Sequence, residues 1–353
     1  MILMAPVDYK SGIFKALLIV AALFVVLAGL KTAAGILVPF LLSLFIAIVC
    51  HPIVKKIESF KIPKPLAVVV VIVVFVTAVI YIAGLVGRSL LELSQLLPEY
   101  IEQLRDKFAW VIDKLATFNI ILSRELFAEY FNPAVAMRLA ADMLSGLGGV
   151  MTNLFLITIT VIFMLFEASS LPRKVYLALD NPDVKMQQVH RFLSSVNHYL
   201  AIKTLVSIAT GASVSLMLWA VGLDFYLLWG VLAFLLNYIP NIGSIIAAVP
   251  AILLAILQLG LAPASFIGLG YLAINVVMAN LIEPRYLGRG LGISTLVVFL
   301  SLVFWGWLLG SAGMLLSVLL TMVIKIGLES SQEGQWLAIL LSGDVEKKRA
   351  DKA

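Results

Sequence analysis

The chain has 353 residues, of which 62% are hydrophobic and 13% charged, with a formal net charge of +5. A soluble domain carries roughly a quarter of its residues as charges, so a soluble enzyme or carrier is excluded and a membrane protein is indicated. The basic balance fits loop lysines and arginines beside a membrane, and no nucleic-acid partner is expected. A single cysteine, Cys50, rules out an internal disulfide and any cysteine-built metal site. His51, His190 and His198 are too scattered to add a metal site, so no metal and no cofactor are expected.

The opening run "MILMAPVDYKSGIFKALLIVAALFVVLAGL" begins like a signal sequence, but a second apolar run follows directly after Lys31 and Thr32 with no small-residue cleavage site. It is read as a retained first helix. Spans are expected at 13–30, 32–50, 66–87, 148–166 and 199–222. Between the third and fourth lies a polar stretch, 88–147, in which Leu93, Leu97, Tyr100, Leu104, Phe108, Val111 and Leu115 recur at helical spacing. That stripe predicts an amphipathic helix packed within a small external helical domain or against a neighbouring subunit. Asn132 and Pro133 then supply an N-cap and a first helical residue for a helix expected to end at Gly146.

Charge sets the expected orientation. Residues 51–65 hold Lys55, Lys56, Lys61 and Lys64 against Glu58, and residues 168–203 hold Arg173, Lys174, Lys185, Arg191 and Lys203 against Asp180 and Asp183. Residues 89–147 instead hold eight acidic and five basic residues. Both termini and the two basic segments are therefore placed in the cytoplasm, and 88–147 outside.

Beyond Asp224 the chain stays apolar almost to Leu328, yet "LLNYIPNIGSIIAAVPAILLAI" contains two amides, two prolines and a glycine. Pro240 lacks the N–H that a helix needs and disfavours helical geometry at Ile239, and Gly243 weakens the next turn. Residues 225–239 and 243–259 then read as two arms of a hairpin entering from outside, each about 22–26 Å long. The following span, 264–282, delivers "EPRYLGRG" to the cytoplasm, in agreement with Arg285 and Arg289. A second pair of arms, 293–309 and 311–328, meets at Gly310 and would enter from inside. Together they make an inverted-topology repeat with two broken elements near the midplane.

The fold class read from this pattern is an all-α polytopic membrane protein: transmembrane helices, two inverted helical hairpins and a small external helical domain. Its parts are N-terminal transmembrane helices (1–87), the external amphipathic domain (88–147), the fourth span with a cytoplasmic connector (148–198), a helix plus hairpin from outside (199–259), a helix plus hairpin from inside (264–328) and a cytoplasmic tail (329–353).

Non-helical backbone survives in lipid only where protein buries it or a wet cavity adjoins it. Asn237 and Asn241, flanking Pro240 and followed by Gly243, can satisfy freed backbone groups or offer donors and acceptors to a small polar solute. Asn275 and Asn280 on the next helix present the same pair of readings. Glu283, Pro284 and Arg285 form a boundary anchor or a gate, with Gly288, Gly290 and Gly310 as hinge positions.

The segments "NYIPNIGSIIAAVPAI", "EPRYLGRGLGISTLVVFLSLVFWGWLLG" and "GMLLSVLLTMVIKI" closely resemble the autoinducer-2 exporter family of bacterial inner-membrane proteins, and "LVPFLLSLFIAIVCHPIV" and "RFLSSVNHYLAIKT" fit it too. The resemblance runs along nearly the whole chain. It implies a multi-pass permease in the bacterial inner membrane that exports a small furanone-type signal, a homo-oligomer of pentameric form, and hairpin domains moving like an elevator. It carries over Asn237, Pro240, Asn241, Gly243, Pro250, Glu283, Pro284, Gly288 and Gly290. Some relatives in this family are assigned sodium(lithium)/proton antiport, which remains an alternative, as does an oligomeric membrane scaffold. Antiport calls for a membrane-embedded carboxylate, whereas Asp224 and Glu283 read as lying near surfaces. No GxxxxGK[ST] motif is present to bind ATP, and no serine–histidine pair or paired aspartates within a span suggest an enzyme.

Overall fold

Long runs of valine, leucine, isoleucine and alanine can hide their backbone from lipid only by closing hydrogen bonds within the segment. The protein, seen in a computed structural model, does this throughout: helices are the only regular structure among the described residues, which are 12–116, 133–168, 170, 174, 176, 182–240, 242–287, 293–329 and 334–343. In chain order they are α1 (Gly12–Thr32), α2 (Ala34–Glu58), α3 (Lys64–Ala116), α4 (Pro133–Glu167), α5 (Pro182–Val221), α6 (Tyr226–Leu236), α7 (Gly243–Gln258) and α8 (Leu261–Val276). A π-helical segment (Val277–Ile282) leads into α9 (Glu283–Leu287), followed by α10 (Thr295–Glu329) and α11 (Gln335–Leu340). Five of these helices are long and apolar enough to cross a membrane, and side chains such as Phe24, Phe155, Phe163, Leu205 and Leu269 point outward. The chain is an all-α polytopic membrane protein.

The polar stretch after Gly87 does not begin a new element. α3 runs unbroken for 53 residues through Arg88 and Pro98, about 80 Å at 1.5 Å per residue. That is more than twice a hydrocarbon core of about 30 Å. A fall in hydrophobicity changes which solvent surrounds a helix but removes none of its hydrogen bonds. The helix opening at Pro133 likewise passes Gly146 and continues to Glu167. Glycine costs a helix only about 1 kcal/mol, so the expected stop at Gly146 does not occur. Similarly, α5 joins the connector before Tyr199 to the span after it.

Three cores hold these rods. The first packs Ala47, Cys50 and Val54 of α2 on Val68 and Val71 of α3 and Val161 and Leu165 of α4. Fully buried Ser43 lets α2 and α4 approach, and its hydroxyl lies 3.3 Å from the Ile157 carbonyl. The second surrounds Val214 and Leu218 of α5 with α6, α7 and α8, and it includes Leu93, Leu97 and Tyr100 from the far half of α3. The apolar stripe predicted from spacing is thus anchored, at its start, on the helices after α5. A third joins Val196, Tyr199 and Leu200 of α5 to Val318 and Met322 of α10.

Two places in the chain turn back. After α6 the backbone leaves the helix at residues 237–240, and a Cβ on Gly243 would lie 1.7 Å from the Leu236 carbonyl oxygen, so only glycine fits there. The far ends of α6 and α7 then meet: the Asp224 N–H donates to Gln258 Oε1 at 3.0 Å, and Gln258 Nε2 donates to the Gly222 carbonyl at 3.4 Å. Tyr100 closes the same end by donating to Asp224 Oδ2 at 2.6 Å. The second turn is at Gly310 inside α10, with φ 70° and ψ −153°. Trp305 Nε1 reaches Thr321 Oγ1 at 3.1 Å across it. A Cβ on Gly313 would fall 2.0 Å from the Trp305 carbonyl, although a straight helix would hold residues eight apart about 12 Å from each other.

α6 lies against α5 at backbone contact. A Cβ on Gly211 would be 2.7 Å from the Gly230 carbonyl, and one on Gly230 would be 1.7 Å from Ser215 Oγ. Small residues at these crossings replace the hydrophobic drive that lipid removes. Gly230→Val should therefore lower the thermal unfolding midpoint of the detergent-purified protein by the equivalent of about 1–3 kcal/mol. Gly84→Ala, where an added methyl meets nothing within 4 Å, should not lower it and can raise it by the equivalent of up to about 1 kcal/mol.

Candidate functional site

One face of α5 contradicts its surroundings. Lys203, Ser207 and Thr210, at i, i+4 and i+7, are all buried in a helix otherwise rich in leucine, valine and alanine, and Tyr199 is buried one turn before them. Unpaired polar groups in an apolar layer cost several kcal/mol each. Each therefore needs a partner, and the partners come from the turn after α6, from the start of α9 and, for Thr210, from the backbone of α5 itself.

At the turn, buried Asn237 donates through Nδ2 to Ser207 Oγ at 3.0 Å. The next residue, Tyr238, donates its hydroxyl to Thr204 Oγ1 at 2.8 Å, and Thr204 passes its own proton to the Leu200 carbonyl at 2.7 Å. The Tyr238 ring is wedged edge-on against Phe45 of α2 and Phe234 of α6, both at 5.9 Å between centroids. The chain's break is thus stitched to α5 by two adjacent side chains. Thr210 satisfies itself on the Val206 carbonyl at 2.8 Å.

From the other side comes Glu283. Its carboxylate oxygens lie 3.0 and 2.9 Å from Lys203 Nζ. The carboxylate follows the six-residue π-helical segment directly. Wider π turns rotate the residues beyond them relative to an α-helix, and they recur at functional sites. A second contact lies alongside, His198 Nε2 to the Tyr286 carbonyl at 3.1 Å. Removing one partner of a buried ion pair costs about 3–5 kcal/mol because the other charge is stranded. α5 and α9 are therefore coupled through these two side chains.

The model of the AI-2E family transporter matches residues 16–332. The chain belongs to that family. It is similar to the AI-2 transport protein TqsA of Escherichia coli (strain K12), 42% identical over 343 residues that cover 97% of this chain and 99% of TqsA. A Haemophilus influenzae protein, whose name places it in transport without stating a solute, is 44% identical over 341 residues, 95% of this chain and 98% of that one. YhhT of Escherichia coli (strain K12), named for transport in the same unspecific way, is 42% identical over 344 residues, 98% of each chain. The resemblance seen in the sequence motifs is borne out, and this chain is a multi-pass membrane transporter of the AI-2E family.

Within this family member the sequence-predicted residues fall into four groups. Asn237 and Glu283 both belong to the polar cluster, on opposite sides of α5's buried face. Pro240 and Gly243 shape the turn, Pro250 lies inside α7, and Gly310 shapes the bend in α10. Asn275 is half-buried on α8, Asn280 is exposed in the π-helical segment, and Pro284 and Arg285 are exposed on α9. Asn241, Gly288 and Gly290 lie outside the described residues.

Two expectations change. Glu283, read as a boundary anchor or gate, reaches Lys203, 80 residues earlier, in a largely buried ion pair. Lys203, counted with the loop cations, is a buried residue of α5. Tyr199, Thr204, Ser207 and Tyr238 were missed as well. The signal that could have found Tyr199 and Ser207 is the polar stripe on one face of an apolar helix; Thr204 and Tyr238 lie off that stripe. Ser207→Ala strands the Asn237 amide and should cost about 0.5–2 kcal/mol, read as a lower unfolding midpoint. Ser207→Thr, which keeps the hydroxyl, should recover part of that loss.

Proposed function

We propose that this AI-2E family transporter exports autoinducer-2 or a similar small polar metabolite as a secondary transporter, and that the turn after α6, at Asn237 and Pro240 with Asn241 and Gly243, is the solute site. One observation carries the reading: the break in the α6–α7 element lies against a face of α5 that carries hydroxyl groups and a buried ammonium. A transporter needs polar partners at membrane depth for a polar solute, and broken helices with their exposed donors are the usual way to build them. The name of TqsA supports autoinducer-2 as the solute to test first.

On this reading the chain lies in the bacterial inner membrane with both termini in the cytoplasm, residues 88–147 outside, and Glu283, Pro284 and Arg285 with Gly288 and Gly290 as the gate. Asn275 and Asn280 would face the solute path only in another state of the cycle. The elements from α6 to α10 would move together, elevator-fashion, within a homo-oligomer of pentameric form.

Sodium(lithium)/proton antiport has one observation in its favour, the carboxylate of Glu283 away from the exposed surface. Lys203 fills the position a bound cation would take, however, which favours export of a polar solute.

Autoinducer-2 loaded into proteoliposomes should leave faster than from empty-vesicle controls, and Asn237→Ala should slow that efflux at least about tenfold, a loss of about 1.4 kcal/mol, with the protein still folded. Absence of efflux under proton, sodium or no gradient overturns the exporter reading. Orientation is checked separately. In a Cys50→Ser background, Arg285→Cys should react with a membrane-impermeant thiol reagent only in inside-out vesicles.

A further inference from the structure

The turn at Asn237 and Tyr238 offers only neutral groups, and by itself it suits a neutral solute. An ammonium nevertheless sits beside it. Lys203 precedes Thr204, the partner of Tyr238, and stands one helical turn before Ser207, the partner of Asn237. Of the ion pairs among the described residues, Lys203 with Glu283 is the most deeply buried, with side-chain exposures of 6% and 18%.

The two partners are not equivalent. Lys203 is fixed in the interior of a 40-residue helix, between Tyr199 and Ser207, both buried. Its ammonium has three N–H donors, and both oxygens of the one carboxylate lie within hydrogen-bond distance of it. Glu283 stands on a five-residue helix whose next three residues, Pro284, Arg285 and Tyr286, are all exposed. A rotation of that side chain can take the carboxylate to water or toward the Arg285 guanidinium. Lys203 has no comparable exit. If the pair only held α5 to α9, two well-packed apolar side chains would serve at least as well.

We propose that Lys203 is a solute-binding cation whose counter-ion in the solute-free protein is Glu283, and that the transported solute carries an acidic oxygen (carboxylate, phosphoryl or ionised hydroxyl) that displaces it. The inference rests on the solute site proposed at the adjoining turn and deepens it by naming the chemistry of the solute. Exchange of one anion for another leaves Lys203 paired throughout, so no buried charge is stranded. It also releases Glu283 from α5 and leaves α9 held there by the His198 contact with the Tyr286 carbonyl. Solute occupancy and the freedom of the junction after α8 are thereby linked.

The test uses the full chain in lipid nanodiscs, with thermal unfolding as the readout. Ribose is the neutral probe; ribonate, with the same carbon skeleton ending in a carboxylate, and inorganic phosphate are the acidic probes. An acidic probe should raise the unfolding midpoint at concentrations where ribose does not. Glu283→Gln, which removes the competing charge but keeps an oxygen for Lys203, should lower the concentration needed for half the shift by at least about fivefold. Lys203→Met should abolish the response. The double variant Lys203→Met/Glu283→Met strands no charge, so its expected lack of response cannot be ascribed to a misfolded site.

Equal weakening by Glu283→Gln and Lys203→Met would mark a purely structural pair and overturn the proposal. So would equal shifts with ribose and ribonate, or no shift with either acid. Asn237→Ala separates the two readings. A response to ribonate kept there but lost in Lys203→Met retains the cation site and removes the turn from it; a loss in both variants supports the two together.

Discussion

A helix that stops inside an apolar layer must find partners for what it exposes, and that requirement organises this molecule. Pro240 and Gly243 end α6 and start α7 within the hydrophobic region. The side chains at the break, Asn237 and Tyr238, then need acceptors at the same depth, and α5 supplies Ser207 and Thr204. To supply them it must come close, which is why Gly211 and Gly230 face each other with no room for a methyl group. Polar stripe, glycine contact and turn are one solution to one problem.

The same requirement shows how far the sequence is readable. Apolar runs, the breakers at Pro240 and Gly243, and the bend at Gly310 are local signals, because proline and glycine act on their own backbone. Helix ends at polarity changes were not readable. Arg88 and Gly146 mark a change of solvent, and neither removes a hydrogen bond, so α3 and α4 run through them. Family membership could be read because its motifs are local strings.

The charged part of the site was hidden for a different reason. Counting charge along the chain puts Lys203 with its neighbours Arg191 and His198 in a connector, and Glu283 with Arg285 in a loop. Only the packing of α9 along the middle of α5 brings the two together. The π-helical segment that precedes Glu283 has no composition of its own, since VMANLI would sit equally well in an α-helix. Tertiary contact decides both the helix type and the pairing.

α3 ties the two larger cores into one mechanical object. Its first turns are clamped by α2 and α4, while Leu93, Leu97 and Tyr100 are clamped by the helices after α5. A stiff rod of about 80 Å pivoting by 5° at one clamp swings its far end through about 7 Å. A displacement of that size is comparable to one turn of helix. Either the contacts of Leu93 and Leu97 slide, or the rod flexes, and Pro98 inside it is the place where a missing N–H makes flexing least costly. The far end of α3 is then a pointer whose angle reports how the two cores stand relative to each other.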